Sequence, residues 1–86
     1  MRKIIHIIKN SNDPHALDVI DEQRKNDQVY LVLAQGAVSM MPPLPKEAVF
    51  VLKEDAAERQ FTPAFPTIDY AELLKLILDA DAVVTW

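Results

Sequence analysis

The chain has 86 residues, half of them hydrophobic, and nine Lys and Arg against thirteen Asp and Glu give it a net charge of −4. This length and hydrophobic fraction exclude a disordered chain and indicate one small domain, which we assign to residues 1–86. The sequence has no cysteine, which excludes disulfides, thiolate metal sites and a cysteine nucleophile.

The charge and hydropathy patterns also exclude several classes of partner. The basic residues are scattered and form no stripe that could neutralise a phosphate backbone, so we expect no direct contact with nucleic acid. No apolar run approaches the roughly 20 residues of a membrane span, and the N-terminal segment lacks the features of a signal peptide. We therefore expect a cytoplasmic protein without a membrane partner. His6 and His15 lack metal-ligand spacing, and we expect no metal and no cofactor.

The first half of the chain predicts two buried strands with a helix between them. Residues 3–8, KIIHII, are almost continuously apolar and β-branched, as in a strand that is buried on both faces. Asp13 as N-cap and Pro14 at the first helical position predict a helix over residues 14–25. Residues 28–34, QVYLVLA, form a second such run and predict a second buried strand.

Gly36, the only glycine, directly follows the second strand. It indicates a turn that needs positive φ or a close backbone approach, and we expect a Val here to cost on the order of 1–3 kcal/mol. Open α/β sheets bind ligands at this end of a strand. No phosphate-binding pattern surrounds Gly36, however, so a plain turn is favoured over a ligand site.

Prolines at positions 42, 43 and 45 end any helix that begins in the segment GAVSMM. Met40 and Met41 precede them, and these side chains fit a soft interaction surface as well as core packing or a collapsed loop. Residues 48–52 predict the third strand and residues 53–59 a short helix. The segment 61–67, with two prolines, is expected to be a loop or an extended edge.

The last helix has the strongest local signal. Asp69 as N-cap and Glu72 three residues later form a capping box, and Ile68 can pack on Leu73 across the helix start. Four side chains at helical spacing predict its buried face: Tyr70, Leu73, Leu74 and Ile77. Residues 82–86, AVVTW, predict a short final strand.

Buried strands that alternate with helices predict an α/β fold. We expect a small three-layer domain with a mostly parallel sheet of four to five strands, flanked by helices and joined by right-handed crossovers. A parallel sheet needs cover on both faces. Because the prolines shorten the element after the second strand, we expect one face to be incompletely covered and the chain to associate with itself or with a partner subunit.

Few side chains indicate a chemistry. His6 lies in a buried strand, where a hydrogen-bonded core histidine is more common than a catalytic base; His15 is expected to be exposed. Four acidic residues could suggest paired carboxylates, namely Glu54, Asp55, Asp79 and Asp81. Their positions near helix ends and turns favour solvated caps instead. An enzyme that uses His6 near Gly36 remains a minor alternative, and we assign no catalytic residue.

Trp86 is the last residue of the sequence and its only tryptophan. Chain ends usually fray, whereas tryptophan is enriched at interfaces because it combines an apolar body with one donor. We expect a largely buried indole, at a subunit contact rather than wholly within one chain. The candidate turn and interface residues are therefore His6, Gly36, Met40, Met41 and Trp86.

Segments along nearly the whole chain resemble the DsrH/TusB family of sulfur-relay proteins, in the DsrE/F/H-like superfamily. IDYAELLKLILDADAVVTW is similar to the family's C-terminus, where a helix led by Asp-Tyr precedes a terminal Trp. IIHIIKNSN resembles the opening strand and its turn. VYLVLAQGAV resembles the strand that runs into a glycine turn, and VFVLKEDAAERQF resembles the strand and helix that follow.

The resemblance implies a DsrE/F/H-like fold and a subunit that assembles with DsrE/TusD-like and DsrF/TusC-like chains. Such complexes transfer persulfide sulfur toward 2-thiouridine at the tRNA wobble position or within dissimilatory sulfur oxidation. The family's first-helix cysteine falls near Ile20, where this chain has no thiol, which removes direct sulfur carriage. Ala34 and Gln35 replace an acidic pair, and the second helix is shorter.

Two functions therefore remain open from the sequence. The first is a non-catalytic subunit of a sulfur-relay complex. The second is a stand-alone, homo-oligomeric binding module of the same fold that has left the pathway.

Overall fold

The computed structural model describes residues 2–10 and 14–86. Eight helices and strands build it, in the order β1 (Lys3–Ile8), α1 (Pro14–Gln23), β2 (Gln28–Leu33), β3 (Val49–Leu52), α2 (Lys53–Glu58), β4 (Thr67–Ile68), α3 (Tyr70–Asp79) and β5 (Ala82–Thr85). Two single 3₁₀ turns, Gln35–Ala37 and Lys46–Ala48, lie between β2 and β3. The predicted N-cap at Asp13 falls outside the described residues.

The five strands form one parallel sheet in the order β4-β3-β2-β1-β5. The fold is thus the predicted small α/β domain, with helices on both faces of the sheet. The steps from β1 to β4 all run in one direction, so right-handed crossovers place α1, α2 and the segment between β2 and β3 on one face. The step from β4 to β5 returns across the sheet and places α3 on the other face.

The face that carries α1, here the α1 face, holds most of the core. Ile4 and Ile8 of β1 pack there with alternate residues of β2 and β3, and Ala16 and Ile20 of α1 close the layer. The proline-rich segment covers the same face, since Val38 is buried and Met40 and Leu44 pack against the cluster. An extended segment therefore supplies the cover that a helix after β2 would otherwise give.

The opposite face, here the α3 face, is covered less completely. Its buried cluster consists of Ile5, Val32 and Ile68. Several neighbouring side chains are only partly buried, namely Ile7, Tyr30, Phe50, Leu73 and Leu76. The incomplete cover thus does not arise at the prolines, as the sequence suggested. It arises because one ten-residue helix, α3, is the only crossover on this face among the described residues.

The capping box of α3 is confirmed. The Asp69 carboxylate accepts a hydrogen bond from the Glu72 backbone N–H at 2.7 Å, and the Asp69 N–H donates to Glu72 Oε1 at 3.1 Å. The predicted buried face is wrong in part. Leu73 packs inward together with Leu76, whereas Tyr70 and Leu74 are 54% and 56% exposed. Leucines occupy more than one side of this helix, so periodicity alone cannot select the side that meets the sheet.

Other differences are small and lie at element ends. α1 ends at Gln23 rather than at residue 25, and β2 ends at Leu33. The segment 61–67 is mostly loop, as expected, and its last residue begins the two-residue edge strand β4, which pairs with β3. No helix within residues 2–10 and 14–86 is long and apolar enough to cross a membrane.

The capping box generates a stability prediction. We expect Asp69→Ala to lower the free energy of unfolding by about 1 kcal/mol, because the first turn of α3 loses its side-chain acceptor. Asp69→Ser keeps an acceptor and should cost less than half as much. Urea unfolding followed by circular dichroism measures both values, and equal stability of the Ala variant and the unchanged protein would contradict this role.

Candidate functional site

His6 lies in the middle of β1 and points to the α1 face, where it is fully buried. Its ring Nε2 lies 2.5 Å from Gln23 Oε1 of α1, and its Nδ1 accepts a hydrogen bond from the Trp86 indole at 3.0 Å. An indole N–H can only donate, so Nδ1 carries no proton and Nε2–H donates to Gln23. Both ring nitrogens are used, and His6 is a hydrogen-bonded core histidine rather than a free base.

The pKa of His6 is lowered from its ordinary value of 6.5, mainly because burial disfavours the charged ring. The hydrogen bond to Gln23 opposes this shift only in part. The ring is therefore neutral at pH 7, in agreement with its role as an acceptor from Trp86.

Trp86 follows β5 directly and is partly buried. Its backbone N–H donates to the Ile7 carbonyl at 2.9 Å, and its indole packs against the α1-face core. The ring lies nearly parallel to that of His6, with centroids 6.1 Å apart and an interplanar angle of 18°, and it meets exposed His15 edge-on at 6.1 Å. Contacts within one chain thus hold Trp86, and its expected place at a subunit contact stays a prediction.

A second polar cluster lies at the carboxyl ends of β2 and β3. Asp55, in the first turn of α2, is 7% exposed. One carboxylate oxygen accepts from the Gln35 backbone N–H at 2.7 Å, and the other accepts from the Tyr70 hydroxyl at 3.2 Å. The interpretation of Asp55 as a solvated cap is therefore wrong: it joins the turn after β2 to the start of α3.

This cluster also changes the ionisation of Tyr70. The hydrogen bond to Asp55 is the largest of the effects that raise the pKa of Tyr70 above its ordinary value of 10.0. The hydroxyl therefore keeps its proton at neutral pH and donates it to the carboxylate.

The turn after β2 differs from the expectation at Gly36. The positive φ belongs to Gln35, at 50°, and not to Gly36. A Cβ added at Gly36 would meet only the Lys9 carbonyl oxygen, at an ordinary 3.5 Å. The expectation that Gly36 needs a conformation that other residues avoid is wrong. The Asp55 carboxylate holds the N–H of the left-handed residue Gln35, which stabilises this turn without glycine.

Two of the remaining acidic candidates, Asp79 and Asp81, lie at the opposite end of the sheet. Asp81 accepts a hydrogen bond from the Lys3 backbone N–H at 2.7 Å, and Asp79 forms an ion pair with the Lys3 ammonium group. Glu54 lies near the Tyr70 backbone N–H, at 3.4 Å. The four acids are thus divided between the two ends of the sheet and form no catalytic pair. No group of three potential ligands within the described residues could hold a metal ion.

The two methionines have different environments. Met40 is partly buried against the α1-face core, whereas Met41 is 69% exposed. A groove of about 520 Å³ lies nearby between α1 and the proline segment, lined by Pro14, Leu17, Asp18, Asp21, Pro43 and Leu44. Neither methionine lines it.

Gln35, Asp55 and Tyr70 form a cluster that sequence reasoning did not bring together. A signal existed, because Gln35 and the pair Glu54-Asp55 each come shortly after one of two neighbouring strands. The carboxyl ends of parallel strands meet at one edge of the sheet, so these side chains could have been placed together.

The fold is similar to that in the crystal structure of the ychN protein from E. coli, with a TM-score of 0.69, 19% sequence identity and 100% of each chain covered. At this identity the likeness concerns the fold alone. No protein-family model matches the chain, and no curated protein matches it. Fold and site together define a small α/β protein with a parallel sheet, a buried neutral histidine and a buried carboxylate that joins two elements.

The turn after β2 gives a paired prediction. Gln35→Val should cost about 1–2 kcal/mol, because a β-branched residue is disfavoured at positive φ. Gly36→Ala should leave stability unchanged or raise it by up to about 1 kcal/mol, because it restricts the unfolded chain. Thermal unfolding measures both. A larger loss at position 36 than at position 35 would contradict the observed turn.

The Asp55 cluster gives another prediction. Asp55→Ala should lower the free energy of unfolding by about 1–3 kcal/mol, since the N–H of Gln35 loses its acceptor. Tyr70→Phe removes only the hydrogen bond from the hydroxyl of the half-exposed Tyr70, so it should lower the free energy of unfolding by less. Glu54→Gln is the matched control, since Glu54 lies beside Asp55 in the first turn of α2, and it should leave the free energy of unfolding nearly unchanged. Equal effects of the Ala and control variants in urea unfolding would show that Asp55 does not hold the turn.

Proposed function

We propose that this chain is a non-catalytic subunit of a sulfur-relay complex of the DsrH/TusB type. In this proposal it shapes the assembly and its docking surfaces, whereas cysteine-bearing partner chains carry the persulfide. The complex would serve tRNA wobble-uridine 2-thiolation or dissimilatory sulfur oxidation. The resemblance of segments along nearly the whole sequence supports the proposal, and the small α/β fold with its parallel sheet agrees with it.

The incompletely covered α3 face is the observation that carries the proposal. Three apolar residues at i, i+4 and i+8 of α3 are more than half exposed, namely Tyr70, Leu74 and Leu78. Val83 of β5, on the same face of the sheet, is 39% exposed. Apolar area gains roughly 25 cal/mol per Å² when it leaves water. A domain of this size has little stability of its own, so a partner that covers this surface would add substantially to it.

The chain's polar residues favour an accessory role over sulfur chemistry. The sequence contains no cysteine that could carry a persulfide. The one buried histidine uses both ring nitrogens in hydrogen bonds to Gln23 and Trp86. Asp55 is likewise occupied by Gln35 and Tyr70. These groups hold segments of the fold together, as expected of a subunit whose contribution is its surface.

Co-expression with DsrE/TusD-like and DsrF/TusC-like chains tests the proposal. We expect a stable complex that contains all three chains. Leu78→Glu should abolish it, because Leu78 is 77% exposed on α3 and a carboxylate there cannot be buried against an apolar partner. Met41→Glu is the matched control, since Met41 is similarly exposed but lies in the segment that covers the α1 face.

The same α3 surface would also serve a homo-oligomer, which is the second candidate function. Size-exclusion chromatography of the co-expressed chains separates the two. If the protein elutes only with itself, in a species that Leu78→Glu dissociates, the stand-alone module replaces the sulfur-relay subunit. Loss of the complex in Met41→Glu but not in Leu78→Glu would show that the α3 surface contacts neither partner chains nor a second copy of this chain.

A further inference from the structure

The contact between His6 and Trp86 depends on the protonation state of the histidine. Trp86 Nε1–H donates to His6 Nδ1 at 3.0 Å, and Gln23 Oε1 accepts from the other ring nitrogen. Only the neutral ring with its proton on Nε2 fits both partners. A second proton would be added at Nδ1, the atom that faces the indole N–H.

Protonation would therefore break one of the two hydrogen bonds and spare the other. Two N–H groups would point at each other between His6 and Trp86, whereas Gln23 Oε1 would still accept from Nε2–H. The positive end of the indole N–H dipole would also face a buried positive charge that has lost much of its hydration. The side chain with freedom to move is Trp86, because it is only partly buried and follows an edge strand that pairs with β1 alone.

Within residues 2–10 and 14–86, no charged side chain acts on the His6 ring to offset this effect. In the sheet, His6 is flanked by Leu31 of β2 and Val84 of β5. From α1 it meets the neutral amide of Gln23, and the imidazole of His15 contacts the edge of the same indole. An imidazole has no anionic form under these conditions, so His15 supplies no counter-charge.

We propose that the His6–Trp86 pair is a pH-sensitive contact: protonation of His6 releases the indole from the α1 face and exposes it to solvent. The backbone N–H of Trp86 remains bonded to the Ile7 carbonyl, so β5 stays paired and only the side chain moves. The exposed indole and the core surface that it leaves form an apolar patch at the β5 edge in acid. This device is independent of the sulfur-relay proposal.

The direction of the pH effect follows from burial. Burial lowers the pKa of His6 below 6.5, so the unfolded chain binds a proton there before the folded chain does. Stability is then full above pH 6.5 and falls as the pH decreases through the interval between the two pKa values. The release of Trp86 should be centred below pH 6.5, within the folded state.

Fluorescence of Trp86, the only tryptophan, tests the proposal on the unchanged protein. Between pH 8 and pH 5 we expect the emission maximum to move toward that of tryptophan in water and acrylamide quenching to increase. The far-UV circular dichroism should stay constant, and the change should reverse at pH 8. An emission maximum and quenching constant that do not change while His6 titrates would overturn the proposal. So would a change that coincides with loss of the circular dichroism signal.

Two further measurements identify the sensor. NMR of the imidazole nitrogens should show the Nε2–H tautomer of His6 at pH 8 and a titration midpoint that matches the fluorescence midpoint. The matched control His15→Gln should keep the transition, whereas its loss would make His15 the sensor and overturn the proposal. Trp86→Phe keeps an aromatic ring but removes the donor, so the pKa of His6 should rise, and an unchanged pKa would contradict the proposed coupling.

Discussion

A parallel sheet must be covered on both faces, and the way this short chain meets that constraint determines most of its structure. Three connections run over the α1 face and bury a continuous core. One ten-residue helix, α3, runs over the other, and it leaves half-buried strand residues and exposed leucines on its own surface. The domain is therefore well packed on one side and incomplete on the other. This asymmetry is the physical basis on which we propose an assembly surface on the α3 side.

Buried polar side chains hold the places where short elements end. Asp55 connects the turn after β2 to the start of α3, and His6 connects the end of α1 to the residue after β5. The polar residues that would attract attention as catalytic groups thus have structural partners. The α3 surface remains the main candidate for function.

The sequence predicted what local patterns determine and missed what distant contacts determine. The parallel α/β fold, most strand limits and the capping box at Asp69 follow from apolar runs and helix-start signals within a few residues. The left-handed conformation of Gln35 depends on a carboxylate 20 residues away, and the state of His6 depends on an indole 80 residues away. No local pattern contains such pairs. The side of α3 that meets the sheet was missed for a related reason, because leucines surround the helix and the sheet selects among them.

We propose that another subunit covers the α3 surface. Methyl NMR with a soluble paramagnetic probe tests it directly, because the probe broadens signals in proportion to their exposure. In the assembled protein, whether with itself or with partner chains, the methyl groups of Leu74, Leu78 and Val83 should be protected relative to Met41. In one isolated chain Leu78, at 77%, and Met41, at 69%, would be about equally exposed. Strong protection of Leu78 with continued broadening of Met41 is the result that this account predicts. Equal broadening of the two would contradict it.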